Sequence, residues 1–245
     1  MNDTGERMIP GQSAPDIEKE HWARYEYAAA LVANKRVADI ACGTGYGARL
    51  LLNAGASSVL GVDLDPGAVT YAREHYTQPG ISFLVGSAED LSMLESEQFD
   101  LVVSFETIEH LQNVDRYLQE IRRILKPNGT FLVSTPDRRL ASVLFPFLKR
   151  PQNRFHVREF TQKELVESLK PHFVVKECLA QVPIHRAFVF WPVQIFLKTL
   201  ARVFRAFGGE RLKSAVYGDQ GGVAVRVVPS RAWIPKYWVV HCVRA

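Results

Sequence analysis

Short apolar runs alternate with stretches of helical period along most of this chain, and that rhythm restricts its fold more than any other feature. Arg36–Cys42 (RVADIAC), Ser57–Leu64 (SSVLGVDL), Ile81–Ser87, Phe99–Glu106 (FDLVVSFE) and Thr130–Thr135 (TFLVST) read as five strands. Each is apolar throughout instead of alternating with polar residues, the mark of strands buried on both faces of a parallel sheet. Between them lie helical segments. Residues 16–34 carry an apolar face of Trp22, Tyr25, Ala29, Leu31 and Val32. Pro66–Tyr76 follows the second strand, and Val114–Leu125 repeats apolar residues at helical spacing. Thr161–Leu169 begins at a threonine with Glu164 three residues on, the pattern of a capping box. Lys126-Pro-Asn-Gly predicts a turn, and Phe173–Ala180 and Tyr237–Val243 predict the last two strands. The expected architecture is α/β, a Rossmann-like doubly wound sheet in one domain spanning 1–245. An N-terminal helical cap occupies 1–34, and a helical insertion at 182–235 breaks the rhythm before the final strand.

A chain of 245 residues that is 47% hydrophobic buries a core without covalent staples. Cys42, Cys178 and Cys242 are odd in number and widely spaced, with no CxxC pair, which argues against a disulfide framework or a structural zinc site. Reduced thiols, a polar start without a signal-peptide core and no long apolar run predict a cytoplasmic protein. The net charge is +4, but the excess is local. Residues 186–213 hold six basic side chains against Glu210 alone, so the remainder is slightly acidic. That distribution marks one basic element and gives no reason to expect nucleic acid as a partner.

In a doubly wound sheet, ligands bind beyond the carboxyl ends of the strands near the switch point. Four such ends carry suggestive residues. Asp39-Ile-Ala41-Cys-Gly43-Thr44-Gly45-Tyr-Gly47 lets backbone approach a ligand and opens a helix whose N–H groups are unpaired. A purely structural turn would use glycine too. The spacing is neither GxGxxG nor a P-loop. Asp63 ends the second strand twenty residues beyond Gly43, where a carboxylate can accept from both hydroxyls of a ribose, and Asp65 fits a helix cap ahead of Pro66. Gly86-Ser-Ala88-Glu89-Asp90 ends the third strand and could reach an adenine amino group, or be a solvated turn. Phe105-Glu106-Thr-Ile-Glu-His110-Leu ends the fourth, where a histidine can accept a proton near neutral pH or simply pack.

Taken in order, VADIACGTGYG, VLGVDLD, FLVGSAEDL, FDLVVSFETIEHL and RRILKPNGTFLVSTP resemble the motifs of class I S-adenosylmethionine (SAM)-dependent methyltransferases across roughly residues 36–136. The resemblance implies a seven-stranded sheet with its last strand antiparallel, with SAM as cofactor and S-adenosylhomocysteine (SAH) as product. It places Asp39, Ala41 and the Gly43-Thr44-Gly45 turn by the methionine part, and Asp63 on the ribose. Leu64, Ala88 and Glu89 fall around the adenine, with Phe105 and Glu106 beside the sulfonium. GERMIP, EHWARYEYA and NRFHVREFT are similar to a narrower subgroup associated with sugar and polysaccharide biosynthesis. By that likeness Arg24 and Tyr25 approach the SAM carboxylate, while Arg7, His156, Arg158 and Glu159 form the acceptor side. A salt-bridge cluster holding the 137–160 loop is the rival reading of HVRE.

A neutral sugar hydroxyl is a poor nucleophile, so a base helps; His110 is the first candidate and His156 the second. No cluster of oxygen ligands is visible, so no metal is expected. The apolar and basic faces of 186–207, with Lys198, Arg202 and Arg205 on one side, fit a lid, a peripheral contact with the inner face of a membrane, or a dimer contact. The expected activity is O-methylation of a sugar or glycoconjugate by a monomer or homodimer. Methylation of a quinone, polyketide or other small molecule is the alternative within enzymes, and a SAM-binding scaffold is the one outside them.

Overall fold

The computed structural model describes residues 8–140, 151, 153–185, 224–225 and 233–245. Arg7 and the 186–207 segment lie outside the described residues. Helix α1 (Pro15–Ala29) precedes β1 (Arg36–Ile40), α2 (Tyr46–Asn53), β2 (Ser58–Asp63), α3 (Pro66–Tyr76), β3 (Ile81–Val85) and β4 (Phe99–Phe105). A single 3₁₀ turn (Ile108–His110) leads to α4 (Val114–Ile124), β5 (Leu125–Pro136), α5 (Gln162–Leu169), β6 (Val174–His185) and β7 (Trp233–Val243). The seven strands lie in the order β3-β2-β1-β4-β5-β7-β6. β1 to β5 are parallel, and β7 runs antiparallel between β5 and β6.

Successive residues of the central strands enter two separate cores. Val37, Leu101, Val103 and Leu132 pack under α1, α2 and α3, while Ala38, Val102, Phe131 and Val133 join the α4 and α5 side. A strand buried on both sides has no polar face to show, which is why its sequence does not alternate. α4 buries Tyr117, Leu118, Ile121 and Ile124 as its spacing predicts. Asp65 caps α3 by accepting from the Gly67 N–H at 2.8 Å, and Thr161 with Glu164 forms the full capping box of α5.

Three readings of the sequence are corrected. Helix α1 stops at Ala29, and the face it buries is Glu20, Arg24, Tyr25 and Ala28. Its inner side is therefore largely polar. Lys126–Gly129 is a kink within β5, with Asn128 at φ 61° and its N–H bonded to the Arg244 carbonyl. Finally, β6 and β7 run past the sheet into the stretch read as an insertion, pairing Pro183 with Pro235 and His185 with Trp233. β5 ends at Pro136, opposite Tyr237, so this extension is a two-stranded arm. A proline lacks a ladder donor and normally sits at a strand's edge, which is why these residues read as breaks.

Polar links tie α1 to the arm. Gln181 donates to the Glu20 carbonyl at 2.7 Å, and Lys236 and Tyr237 both donate to the Glu20 carboxylate. The three cysteines are free, and burial pushes the Cys178 and Cys242 thiols up to about 11 and about 12, out of nucleophilic range. Among the described residues, no helix is long and apolar enough to cross a membrane.

Candidate active site

The order of the sheet reverses between β1 and β4, and the loops that follow these two strands carry the buried polar residues Thr44, Thr107 and Glu109. After β1 the backbone turns sharply through Ala41 (φ 63°), Gly43 (φ 55°) and Gly45 (φ 85°) into α2. Gly45 is needed twice over, since a Cβ there would also lie 2.7 Å from Ala72 and 2.8 Å from the Phe83 ring. Gly47 is needed for space alone: a Cβ would fall 2.1 Å from the Tyr25 ring. Gly43 differs, because none of the described residues stands within 4 Å of its missing Cβ, which leaves room on that side of the turn for a ligand.

Asp63 closes this loop from the end of β2. One carboxylate oxygen accepts from the Gly43 N–H at 2.8 Å and the other from the Asp65 N–H at 3.0 Å. Asp39 is fully buried, and the Tyr25 hydroxyl donates to its carboxylate at 3.1 Å. Burial raises the Asp39 carboxyl to about 7, the Tyr25 bond opposes the shift, and the charge of Asp63 adds to it. Tyr25 in turn stands edge-on to Tyr46 and to Phe105, so Phe105 is buried beneath it. Thr44 is buried and donates to the Met8 carbonyl at 3.2 Å.

Arg24 is also fully buried. One guanidinium nitrogen donates to Gln181 Oε1 at 2.6 Å, and the group lies 4.6 Å from the centre of the Tyr237 ring. Its Nε and Nη2 have no hydrogen-bond partner among the described residues. Two unanswered donors on a buried cation could be satisfied by an anion.

Leu64 is 70% exposed at the end of β2, which suits a side chain that covers a ligand face. Ala88 packs against the α4-side core. Glu89 accepts from the Gln112 and Asn113 N–H groups at 2.7 and 3.2 Å, fastening the loop that enters α4. Glu106 follows β4 at φ 54°, with its N–H donated to Ser134 and its carboxylate accepting from the Ser134 hydroxyl at 2.7 Å.

A second group gathers beyond β4. Val157 and Arg158 donate their N–H groups to the Glu109 carbonyl, which draws the 153–159 loop against the 3₁₀ turn. The rings of His110 and His156 consequently meet edge-on, 4.9 Å between centroids. His156 Nδ1 lies 3.0 Å from Glu159 Oε1, and His110 Nδ1 lies 3.1 Å from the Phe155 carbonyl. The His156–Glu159 contact fits the salt-bridge reading of HVRE, and the loop brings His156 against His110. Glu159 is buried and holds His156, while Arg158 lays its guanidinium over the Phe160 ring.

Glu109 was quoted in the sequence motif but given no role, and it is the central residue here. It is fully buried, with Oε2 accepting from Thr135 at 2.9 Å and Oε1 without a partner. Burial, then the nearby Glu106 charge, pushes its carboxyl well above the usual range. Asn153, at 3.0 Å from His156 Nε2, was missed as well. The only sequence signal for Glu109 was its place beside His110, and for Asn153 there was none.

Residues 38–133 match the family model described as "Methyltransferase domain". The chain is 37% identical over 172 residues to a "probable S-adenosylmethionine-dependent methyltransferase" of Mycolicibacterium smegmatis, covering 68% of this chain and 63% of that one. It is 36% identical over 109 residues to a ubiquinone biosynthesis O-methyltransferase of Azorhizobium caulinodans, covering 44% and 42%. The chain thus spans less than two thirds of the length of either relative. In fold it is similar to an S-adenosylmethionine-dependent methyltransferase from Mesorhizobium loti, with TM-score 0.59, 19% identity and coverage of 92% and 100%.

Proposed function

The chain belongs to the class I SAM-dependent methyltransferases, and from that premise we propose that it transfers the SAM methyl group to a hydroxyl of a sugar or glycoconjugate. The observation that supports SAM as the bound group is the match between the polar groups gathered here and the ligand's parts. Arg24 offers two orphaned buried donors to a carboxylate. Asp39 and Asp63 offer carboxylates to the ammonium and the ribose, and the open side of Gly43 lets the chain of the ligand pass. The residues present fit the cofactor.

Bound SAM supplies a methyl carbon already activated on a sulfonium, so the protein's work is to position, to exclude water and to deal with the acceptor's proton. Arg24 and Asp39 fix the amino-acid end, and Asp63 fixes the ribose while holding Gly43 in place. Glu106 is held by Ser134 at the end of β4, between that pocket and the histidine pair. The acceptor hydroxyl then lies on the side of Glu109, His110 and His156, where its proton is handled. In this reading Ala88, Glu89 and Leu64 surround the adenine, and Arg158 borders the acceptor.

A second reading, methylation of a phenolic hydroxyl, is favoured by the similarity to the ubiquinone biosynthesis O-methyltransferase. The first test is calorimetric titration with SAH. Saturable binding is expected, and Asp63→Ala should weaken it about 100-fold, the loss of two charge-assisted hydrogen bonds at roughly 1.5 kcal/mol each. Absence of SAH binding, or equal binding by the variant, overturns the proposal. A mass-detected acceptor screen then separates the readings, since transfer to phenols but to no saccharide would sink the sugar assignment.

A further inference from the structure

Two distant parts of the chain bring three metal-ligating side chains together beside the end of β4, and we propose that Glu109, His110 and His156 bind a divalent cation such as Mn²⁺ or Zn²⁺. One donor atom from each lies within 4.8 Å of the other two. The hydrogen bonds around the two imidazoles point to one nitrogen of each as the ligand atom. A carbonyl can only accept, so His110 Nδ1 donates to Phe155, and the neutral ring carries its lone pair on Nε2, 4.0 Å from Glu109 Oε1. By the same argument His156 donates Nδ1–H to the buried Glu159 carboxylate and carries its lone pair on Nε2. A carboxylate or carbonyl behind each imidazole is the outer-shell arrangement that fixes tautomer and ring direction in metal sites.

Glu109 supplies the independent observation. Its Oε1 is buried, lies 4.0 Å from His110 Nε2 and has no hydrogen-bond partner among the described residues, although the same carboxylate's Oε2 is satisfied by Thr135. An unanswered buried carboxylate oxygen is costly, and Glu106 adds a second negative charge nearby. A cation answers both. It would replace the bond from Asn153 Nδ2 to His156 Nε2. Metal–ligand bonds of about 2.1 Å bring donors to about 3 Å from one another, so the three side chains need only close inward. Two imidazoles and a carboxylate suit manganese, iron or zinc better than magnesium or calcium, and three protein ligands leave positions open.

The use of such an ion rests on the methyl-transfer reading above, whereas the site rests on geometry alone. A cation here acidifies a coordinated acceptor hydroxyl. The hydroxyl proton passes to solvent water, the oxygen lone pair forms the C–O bond, and the methyl–sulfur bond breaks with its pair going to sulfur. The sulfonium's positive charge leaves as the released proton.

The experiment titrates the chelator-stripped full chain with Mn²⁺ alone, read by loss of the free-ion paramagnetic resonance signal, and then competes it with Zn²⁺. One Mn²⁺ per chain is expected. His156→Gln and His110→Ala should each weaken it by about 100-fold, and Glu159→Gln by about 10-fold through the outer shell. Thermal unfolding checks that each variant folds. No saturable one-to-one binding, or binding unchanged in Glu159→Gln and both histidine variants, overturns the proposal. SAH titration of the same samples keeps the two ideas apart. SAH binding without Mn²⁺ binding rejects the metal site alone, and Mn²⁺ binding without SAH binding rejects the methyltransferase reading alone.

Discussion

The β1–β2 end of the sheet and the β4 end hold ligand-facing groups by opposite means. At the first, the groups are local in sequence: Asp39 lies near the end of β1, Gly43 and Gly45 in the loop that follows it, and Asp63 arrives from the adjacent strand. Packing against rigid neighbours sets their positions, with Tyr25 wedged between Gly47 and Phe105 and Phe83 against Gly45. At the second, His110 and His156 come from opposite sides of β5, and main-chain bonds from Val157 and Arg158 to Glu109 hold them together. The end proposed to hold the cofactor is thus fixed by steric fit, and the end proposed to face the acceptor by a staple. A staple can be re-aimed by changing a short loop, which suits the half of the proposed methyltransferase that must differ between acceptors.

The largest effect should come from breaking the steric side. Gly47→Ala puts a methyl group onto a fully buried aromatic ring that has nowhere to move. Overpacking of this kind costs roughly 1–3 kcal/mol or more, and here it also levers Tyr25 from Asp39. Denaturant unfolding should show that loss, and SAH binding should fall with it. A Gly47→Ala protein of unchanged stability and unchanged SAH affinity would remove the steric half of the comparison.

This contrast also explains what could be read in advance. The glycine turn, Asp63, the Asp65 cap and the Thr161 capping box were legible because each is a local arrangement with a fixed residue spacing. Pro66–Tyr76 was read to the residue, since a cap and a proline mark its start. Glu109 was not legible as a buried ligand-type group, because nothing local distinguishes a buried carboxylate from an exposed one in a polar turn. Its burial is created by Thr135 and the 153–159 loop. The inner face of α1 misled for the same reason: Glu20 and Arg24 are buried because Gln181, Lys236 and Tyr237 receive them. The β6–β7 arm was hidden by two prolines that happen to sit opposite one another.

A smaller effect should sharpen the comparison through Asp39. Its carboxyl titrates near 7 in the folded chain against 3.8 for the ordinary group. Between these values the folded protein keeps a proton that the unfolded chain has lost, so stability falls as pH rises from about 4 to about 7. Asp39→Asn removes this dependence and should stabilise the ligand-free protein at neutral pH. The same change should weaken SAH. Wild-type affinity should rise as pH increases through about 7, when the ionised carboxylate becomes available to an ammonium, and the variant's should stay flat. Thermal melts and calorimetry across pH 5.5–8 test both signs; a wild-type affinity indifferent to pH over this range would take Asp39 out of the binding site.

The smallest expected effect lies on the stapled side, at Thr161. Its hydroxyl accepts from the Glu164 N–H and its own N–H donates to the Glu164 carboxylate, closing the first turn of α5 directly after the loop that carries His156. Thr161→Ala should cost about 1 kcal/mol of stability. Because α5 touches none of the groups around Asp39 and Asp63, SAH affinity should not change, while Mn²⁺ binding through His156 should loosen by a few-fold. If SAH affinity fell as much as Mn²⁺ affinity, the two sides would be one mechanical unit, and a loop that can be re-aimed independently of the cofactor would have to be given up.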